Sequence, residues 1–536
     1  MSKSPLECDD LIQPIKRVHT SYTLKETLQK MIKGRRSVRL YPILQCRKLF
    51  FLKIVKNLQI GGAFGLLTWR HPKTVKSFQG YPPQTNFHVS CLLNSLKRFQ
   101  CIHDFESVFN FSYLQFLSSR NERKLARLLH LANRRMEVIS NLILPSKIPS
   151  FLLQIACTKN LRYLHLSIHL AEGDTNSRKL FQEFCFAVSR LKSLEEARLK
   201  LILLTSNGKK LLGELLPVVQ GIARLHSLHL TQHFETQRTY CANPQNLDQS
   251  FGFASFFRKG NKLKKFVLNF SSAFEYSILP MLRISELKEL EVFEFQLGLA
   301  PDFNDFHLST LLFELNQCCN LRKVVFKFEK SSLLTDEVVK QICGGLSKMT
   351  KLDAFHLVLG NVYHGADGLP NIPVSHRFTS TAVEHLTSFL HSLKYQLKEV
   401  SIGFCLEDFN DELFASLLDA IAAVRTLELL QIYLFKAKIT DATSTQLKSC
   451  IANLTGLHRV DLALKLCPNI TNELIMDLCE LLTMKGLCCS LTQVKVNLEG
   501  TKVTPNTLKN FKFLMRYHKP STSLHYFLSS LSYSYL

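Results

Sequence analysis

An α/β solenoid, with a curved parallel sheet on one side and helices on the other, is the fold class this sequence predicts. Three observations predict it. A pattern L-x-x-φ-x-φ-x-φ, with φ apolar, recurs eleven times between Leu161 and Leu498. Copies begin 27 to 45 residues apart, most often 30 or 31. Between copies runs a helix-period pattern, as in DELFASLLDAIAAV, where Leu413, Leu417, Leu418 and Ile421 share one face. At 536 residues the chain exceeds one ordinary core, so several domains or a repeat array are required. The solenoid is expected to follow a mainly helical N-terminal region.

The first element is 1–26. Its start, MSKSPLECDDLIQ, carries three acids and no apolar run, which predicts neither a secretory signal nor a transit peptide. The second, 27–104, has no acidic residue between Glu26 and Asp104 but fourteen Lys and Arg. Residues 1–150 as a whole hold 25 basic against 8 acidic residues, so most of the chain's formal charge of +24 sits here. Lys33, Arg35, Arg36, Arg39, Arg47, Lys48, Lys53 and Lys56 are candidates for a polyanion, with Phe50, Phe51, Phe64, Trp69, Phe78 and Tyr81 interleaved. Bases mixed with aromatics suit RNA phosphates and stacking, an anionic lipid surface or an acidic protein. The most apolar stretch, LFFLKIVKNLQIGGAFGLL, is broken by Lys53 and Lys56, so no membrane span is expected.

The third element, 105–159, reads as a short helix, a polar turn and an amphipathic helix within 107–141, with Leu125, Leu128, Leu129 and Ala132 on one side. Any solenoid needs its apolar end covered, and these helices can serve as that cap. The run YLQFLSSRNERKLARLLHLANRR also resembles an F-box. That resemblance implies that Phe109, Phe111, Tyr113 and Leu114 face an adaptor protein of a ubiquitin ligase.

The fourth element, 160–512, is the repeat. Position one is Leu in every copy, positions four and six are always apolar, and position eight fails only at Gln232. Period-two alternation makes each copy a strand with one buried side, and neither strand nor helix can bury its apolar face alone. This span resembles the leucine-rich repeat family, specifically its long, ribonuclease-inhibitor-like class. The family places Asn or Cys at position nine to form a side-chain ladder, and here only Cys405 fits. Cap-like pairs recur thirteen or fourteen residues after the first Leu: Asn304-Asp305, Thr335-Asp336, Asn410-Asp411, Thr440-Asp441, Thr471-Asn472 and Thr504-Pro505. Such oxygens accept from free amides of a first helical turn, so Thr440-Asp441 is architecture, not catalysis. The copy at Leu352 carries an insertion near 360–378, and ETQRTYCANPQNLDQS forms a second irregular loop; both suit partner contact. The last element, 513–536, is a tail or terminal cap.

No phosphate-binding P-loop, dinucleotide fingerprint, HExxH or GxSxG occurs. Sixteen cysteines without a C-x-x-C predict buried free thiols in a reducing compartment, cytoplasm or nucleus, and not a secreted protein. No enzyme activity, cofactor or metal is expected. Positions three, five and seven of each strand point to the concave face, a mixed and mildly basic surface that suits a protein ligand. Lys200, Lys265, Lys323, Lys327, His356, Gln431, Tyr433, Arg459 and Lys495 are its candidate binding residues, with His356 and Tyr433 expected to be exposed. The sequence therefore predicts a non-enzymatic protein-binding scaffold. Its alternatives are a ubiquitin-ligase substrate receptor and an RNA-contacting ribonucleoprotein component.

Overall fold

The structure, a computed structural model, describes residues 37–40, 57–60, 77–80, 104–110, 135–139, 162–170, 185–203, 224–234, 262–270, 283–299, 303–330, 334–360, 378–405, 408–483, 490–518 and 523–527, with 182, 218 and 222. The chain divides into two compact units, Met1–Glu195 and Glu196–Leu536.

In the first unit, strands β1 (Ser37–Leu40), β2 (Asn57–Ile60), β3 (Ser77–Gly80), β4 (Asp104–Asn110), β5 (Arg135–Ile139) and β6 (Tyr163–Leu170) each pair in parallel with the next. Residues 107–110 and 135–139, expected to be helical, are thus strands. The alternation Met136-Glu137-Val138 continues the repeat's period of two, and Met136 stands beside Leu164, position four of the first copy. Parallel pairing spans non-local neighbours, a signal that a local helical pattern hides. The insertion near 360–378 and the loop ETQRTYCANPQNLDQS fall almost wholly outside the described residues.

The second unit is a leucine-rich repeat solenoid. Its strands are β7 (Glu196–Leu203), β8 (Ser227–Phe234), β9 (Lys265–Phe270), β10 (Val292–Leu299), β11 (Lys323–Lys330), β12 (Ala354–Leu359), β13 (Glu399–Phe404), β14 (Leu429–Phe435), β15 (Arg459–Lys465), β16 (Gln493–Asn497) and β17 (Ser523–Phe527). All pair in parallel in chain order. The register sets like positions side by side: Phe293, Val324, Phe355, Val400, Leu430, Val460 and Val494 form one buried row. The described α-helices are α1 (Asp305–Leu315), α2 (Asp336–Leu346), α3 (Ser380–Ser392), α4 (Asp411–Ala422), α5 (Ser444–Asn453), α6 (Asn472–Thr483) and α7 (Pro505–His518).

Helices cover the even-position side of the sheet. Phe355 of β12 meets Phe389 of α3 edge-on at 4.7 Å, and Phe404 of β13 stacks through Phe409 toward Phe414 of α4. In α4 the buried face is Phe414, Leu417, Leu418 and Ile421, with Leu413 only half-buried. Aromatics concentrate at β9–β11, where Phe295 lies against Phe270, Phe303 and Phe328. Burying each such ring contributes about 1.5–3 kcal/mol.

The expected caps form. Thr335, Thr379, Thr440 and Thr471 each accept from the amide two residues on, and Asn304, Asn410 and Thr504 from the amide three on. The Asp of each pair does something the sequence did not announce, for it reaches into the following repeat. Thr440 N–H and Oγ1–H donate to the two carboxylate oxygens of Asp411, both at 2.7 Å. Thr335 donates likewise to Asp305, Thr379 to Asp336 and Thr471 to Asp441. Thr504 N–H closes the series on Asn472 Oδ1 at 2.8 Å. Where the family's position-nine residue is missing, this ladder at the helix starts ties repeat to repeat through charge-assisted hydrogen bonds. α3 begins with Ser380 in place of Asp, so no carboxylate stands there to carry the ladder on to Asn410.

Candidate functional site

Odd positions of β7–β16 form the face that is helix-free among the described residues. The register arranges them in three rows, and their side chains pair both within a row and between neighbouring rows. In the position-three row, Lys323 reaches past Ala354 to Glu399, two strands away, at 2.7 Å. Ala354 has no side chain long enough to block that path. Lys265 meets Glu294 at 2.9 Å, Arg198 meets Glu196 at 2.6 Å, and Lys465 meets Glu499 at 3.4 Å. On β14 and β15, Tyr433 Oη and Gln431 Nε2 donate to Asp461 Oδ2 at 3.2 and 3.4 Å. Arg459 Nη2 stands 3.7 Å from the same oxygen.

His356 and Tyr433, expected to be exposed, are half-buried. His356 sits among Lys323, Lys327 and Glu399, and its Nε2 is 3.5 Å from Glu399 Oε2, too long for a good hydrogen bond. That nitrogen has no closer partner among the described residues. Tyr433 stands opposite Gly403 in the register, where an added Cβ would lie 3.4 Å from Tyr433 Cβ and 3.1 Å from Val358 Cγ1. A side chain there would crowd both neighbours, so glycine suits the position.

Burial moves the titrations on this face. The His356 contact and the Lys323 ammonium hold the Glu399 carboxyl at about 2, against burial; of the two, the 2.7 Å Lys323 contact is the stronger. Burial lowers His356 below its ordinary value. Burial, then Lys265 and Arg198, push His229 down to about 4. Against the upward pull of burial, Lys265 keeps Glu294 below the ordinary carboxylate value. A ring whose folded value is depressed contributes stability that is present above its unfolded value of 6.5 and is lost as pH falls through about 4. His229→Gln is therefore expected to flatten the fall in urea midpoint between pH 6.5 and 4. An unchanged pH slope in the variant would refute this assignment.

Of the sequence-derived candidates, Lys265, Lys323, Lys327, His356, Gln431, Tyr433, Arg459 and Lys495 lie on this one face. Lys200 is a β7 backbone position whose side chain lies outside the described residues. Of the polyanion candidates, Arg39 lies in β1; Lys33, Arg35, Arg36, Arg47, Lys48, Lys53 and Lys56 lie outside the described residues. Phe109 is in β4, and Phe111, Tyr113 and Leu114 lie outside the described residues. Sequence reasoning missed the partners Glu294, Glu399 and His229. Their signal was available as odd-position residues of adjoining copies, aligned by register.

At the edge where strands begin, position two carries a second series of ion pairs: Lys264–Glu291, Arg322–Asp353 and Lys398–Glu428. A depression of about 520 Å³ there is lined by Lys264, Glu289, Glu291, Asn320, Arg322 and Lys351. Its ion pairs are exposed and screened by solvent, and they offer no reactive group. Burial pushes the thiols of Cys318 and Cys450 up to about 12, so they stay protonated at neutral pH. Among the described residues no His, Cys, Asp or Glu cluster could hold a metal, and no helix is long and apolar enough to cross a membrane.

No family model matches the chain, and no curated protein matches it. Among solved structures it is similar to the crystal structure of the Rad7 and Elc1 complex in yeast, with a TM-score of 0.41 and 17% identity. That match covers 82% of this chain and 92% of the other.

Proposed function

We propose that the chain is a non-enzymatic scaffold that binds a protein partner on the helix-free face of its repeat sheet. The observation that supports this is the character of that face. Half-buried Lys, Glu, His, Gln, Tyr and Arg side chains are held by one another across strands, a pre-organised polar and aromatic surface. A rigid surface loses little side-chain entropy when a partner covers it. The ubiquitin-ligase receptor and ribonucleoprotein readings rest on residues 27–141, and the scaffold reading is independent of both.

A photo-crosslinking amino acid tests the proposal. Placed at Gln431 in the full chain, it is expected to capture a discrete protein from the native cell. Placed at Asn510, an exposed position on α7, it is expected not to capture that protein. Equal capture from the two positions, or none from Gln431, would overturn the proposal.

A further inference from the structure

Strands of the helix-free face carry bases whose compensation differs: β7, β9 and β11 on one side, β15 with β16 on the other. From β7 to β13, Arg198, Lys265 and Lys323 each lie within 3.0 Å of a carboxylate on the same face. The corresponding acids are thereby closed to a partner. On β15 and β16 the balance changes. Asp461 is occupied by Tyr433 and Gln431, and Arg459 comes no nearer to it than 3.7 Å. Arg459 Nε has no acceptor among the described residues. Lys495 stands directly opposite Asp461 in the register, yet no carboxylate of the described residues lies within 4.0 Å of its ammonium. The one nearby acid, Glu499, is held by Lys465 at 3.4 Å, and residues 500–536 contain five Lys and Arg and no Asp or Glu. This end of the face thus combines two under-compensated bases on adjacent strands with the ring of Tyr433.

We propose that the β14–β16 end of the helix-free face binds an acidic, extended peptide segment of the partner, Arg459 and Lys495 meeting its carboxylates and Tyr433 packing against its chain. This rests on the scaffold reading and specifies its partner. Carboxylate is the chemistry that completes Arg459 and Lys495. A nucleic acid fits less well. It carries a phosphate at every step and would need a continuous basic stripe, whereas along the face β13 and β10 present Glu399 and Glu294 already bound to their lysines.

The test is lysine footprinting by brief acetylation of the full chain, with a synthetic peptide alternating Glu and Ala as the probe. Its Gln-Ala counterpart is the control. The Glu peptide is expected to slow acetylation of Lys495 about tenfold while exposed Lys502 and Lys509 keep their rates. Arg459→Gln should abolish most of that protection, and Arg459→Lys, which keeps the charge, should retain most of it. Three results would overturn the proposal: Lys495 unprotected, equal protection by the Gln peptide, or protection confined to lysines within 27–103. If Gln431 still captures a protein when Lys495 is unprotected, the scaffold stands and the acidic partner does not.

Discussion

Phe295→Ala is expected to destabilise the repeat unit by about 3–5 kcal/mol, the largest loss from any single truncation considered. The ring is fully buried, with Phe270 at 6.1 Å and Phe303 and Phe328 both at 6.0 Å. Removing it empties a site bordered by β9, β11 and the residue leading into α1, all held by one another. Aromatic pairs add about 0.5–1.5 kcal/mol each beyond buried area, so the surrounding rings lose contact as well as cover. In a solenoid each repeat touches only its neighbours, and the loss should therefore be local. Hydrogen exchange should show amide protection falling in β9–β11 and persisting in β15. A urea midpoint that barely moves, or protection lost evenly along the unit, would contradict this account.

The second large effect is expected at the inter-repeat ladder. Asp411→Ala removes two charge-assisted hydrogen bonds and strands the half-buried Thr440 amide and hydroxyl. Bonds to a charged group are worth about 1.5–3 kcal/mol each, and a pair sharing one carboxylate adds less than twice that, so a loss of about 2–4 kcal/mol follows. Asp411→Asn keeps an oxygen for the Thr440 amide and should recover about half. Asn410, which caps α4 itself, remains in both variants, so helix α4 should persist while its junction with the next repeat weakens. Urea unfolding of the three proteins checks the order wild type, Asn, Ala. If Asp411 were only a first-turn acid favouring the helix dipole, the cost would be about 0.3–1 kcal/mol.

These two sites show how unevenly sequence speaks. Phe295 occupies position six of its copy, and a period of two is enough to place it inside. Thr440-Asp441 was legible as a cap because the same pair returns at the same phase. The reach of each Asp into the following repeat was not legible, because it depends on the offset between neighbouring helices. On the helix-free face the limitation is sharper. Lys323 and Glu399 are 76 residues apart, across the longest copy, so no fixed spacing relates them. They meet because the register aligns both with Ala354 and because a methyl group leaves the path clear.

The strands within 37–139 carry the same lesson in the opposite direction. Their alternating runs are only four to seven residues long, too short to outweigh the helix-period pattern that 107–141 also carries. Parallel pairing with the next strand in the chain makes strands of those segments instead.

By itself, then, the sequence determined the repeat, the buried side of each strand and the residue that starts each helix, since all three follow from short-range periodicity and local hydrogen bonding. Only the tertiary structure decided which acid meets which base and where positive charge is left over. Those pairings are made across strands, and the side chains that form them become neighbours only after the repeats have stacked.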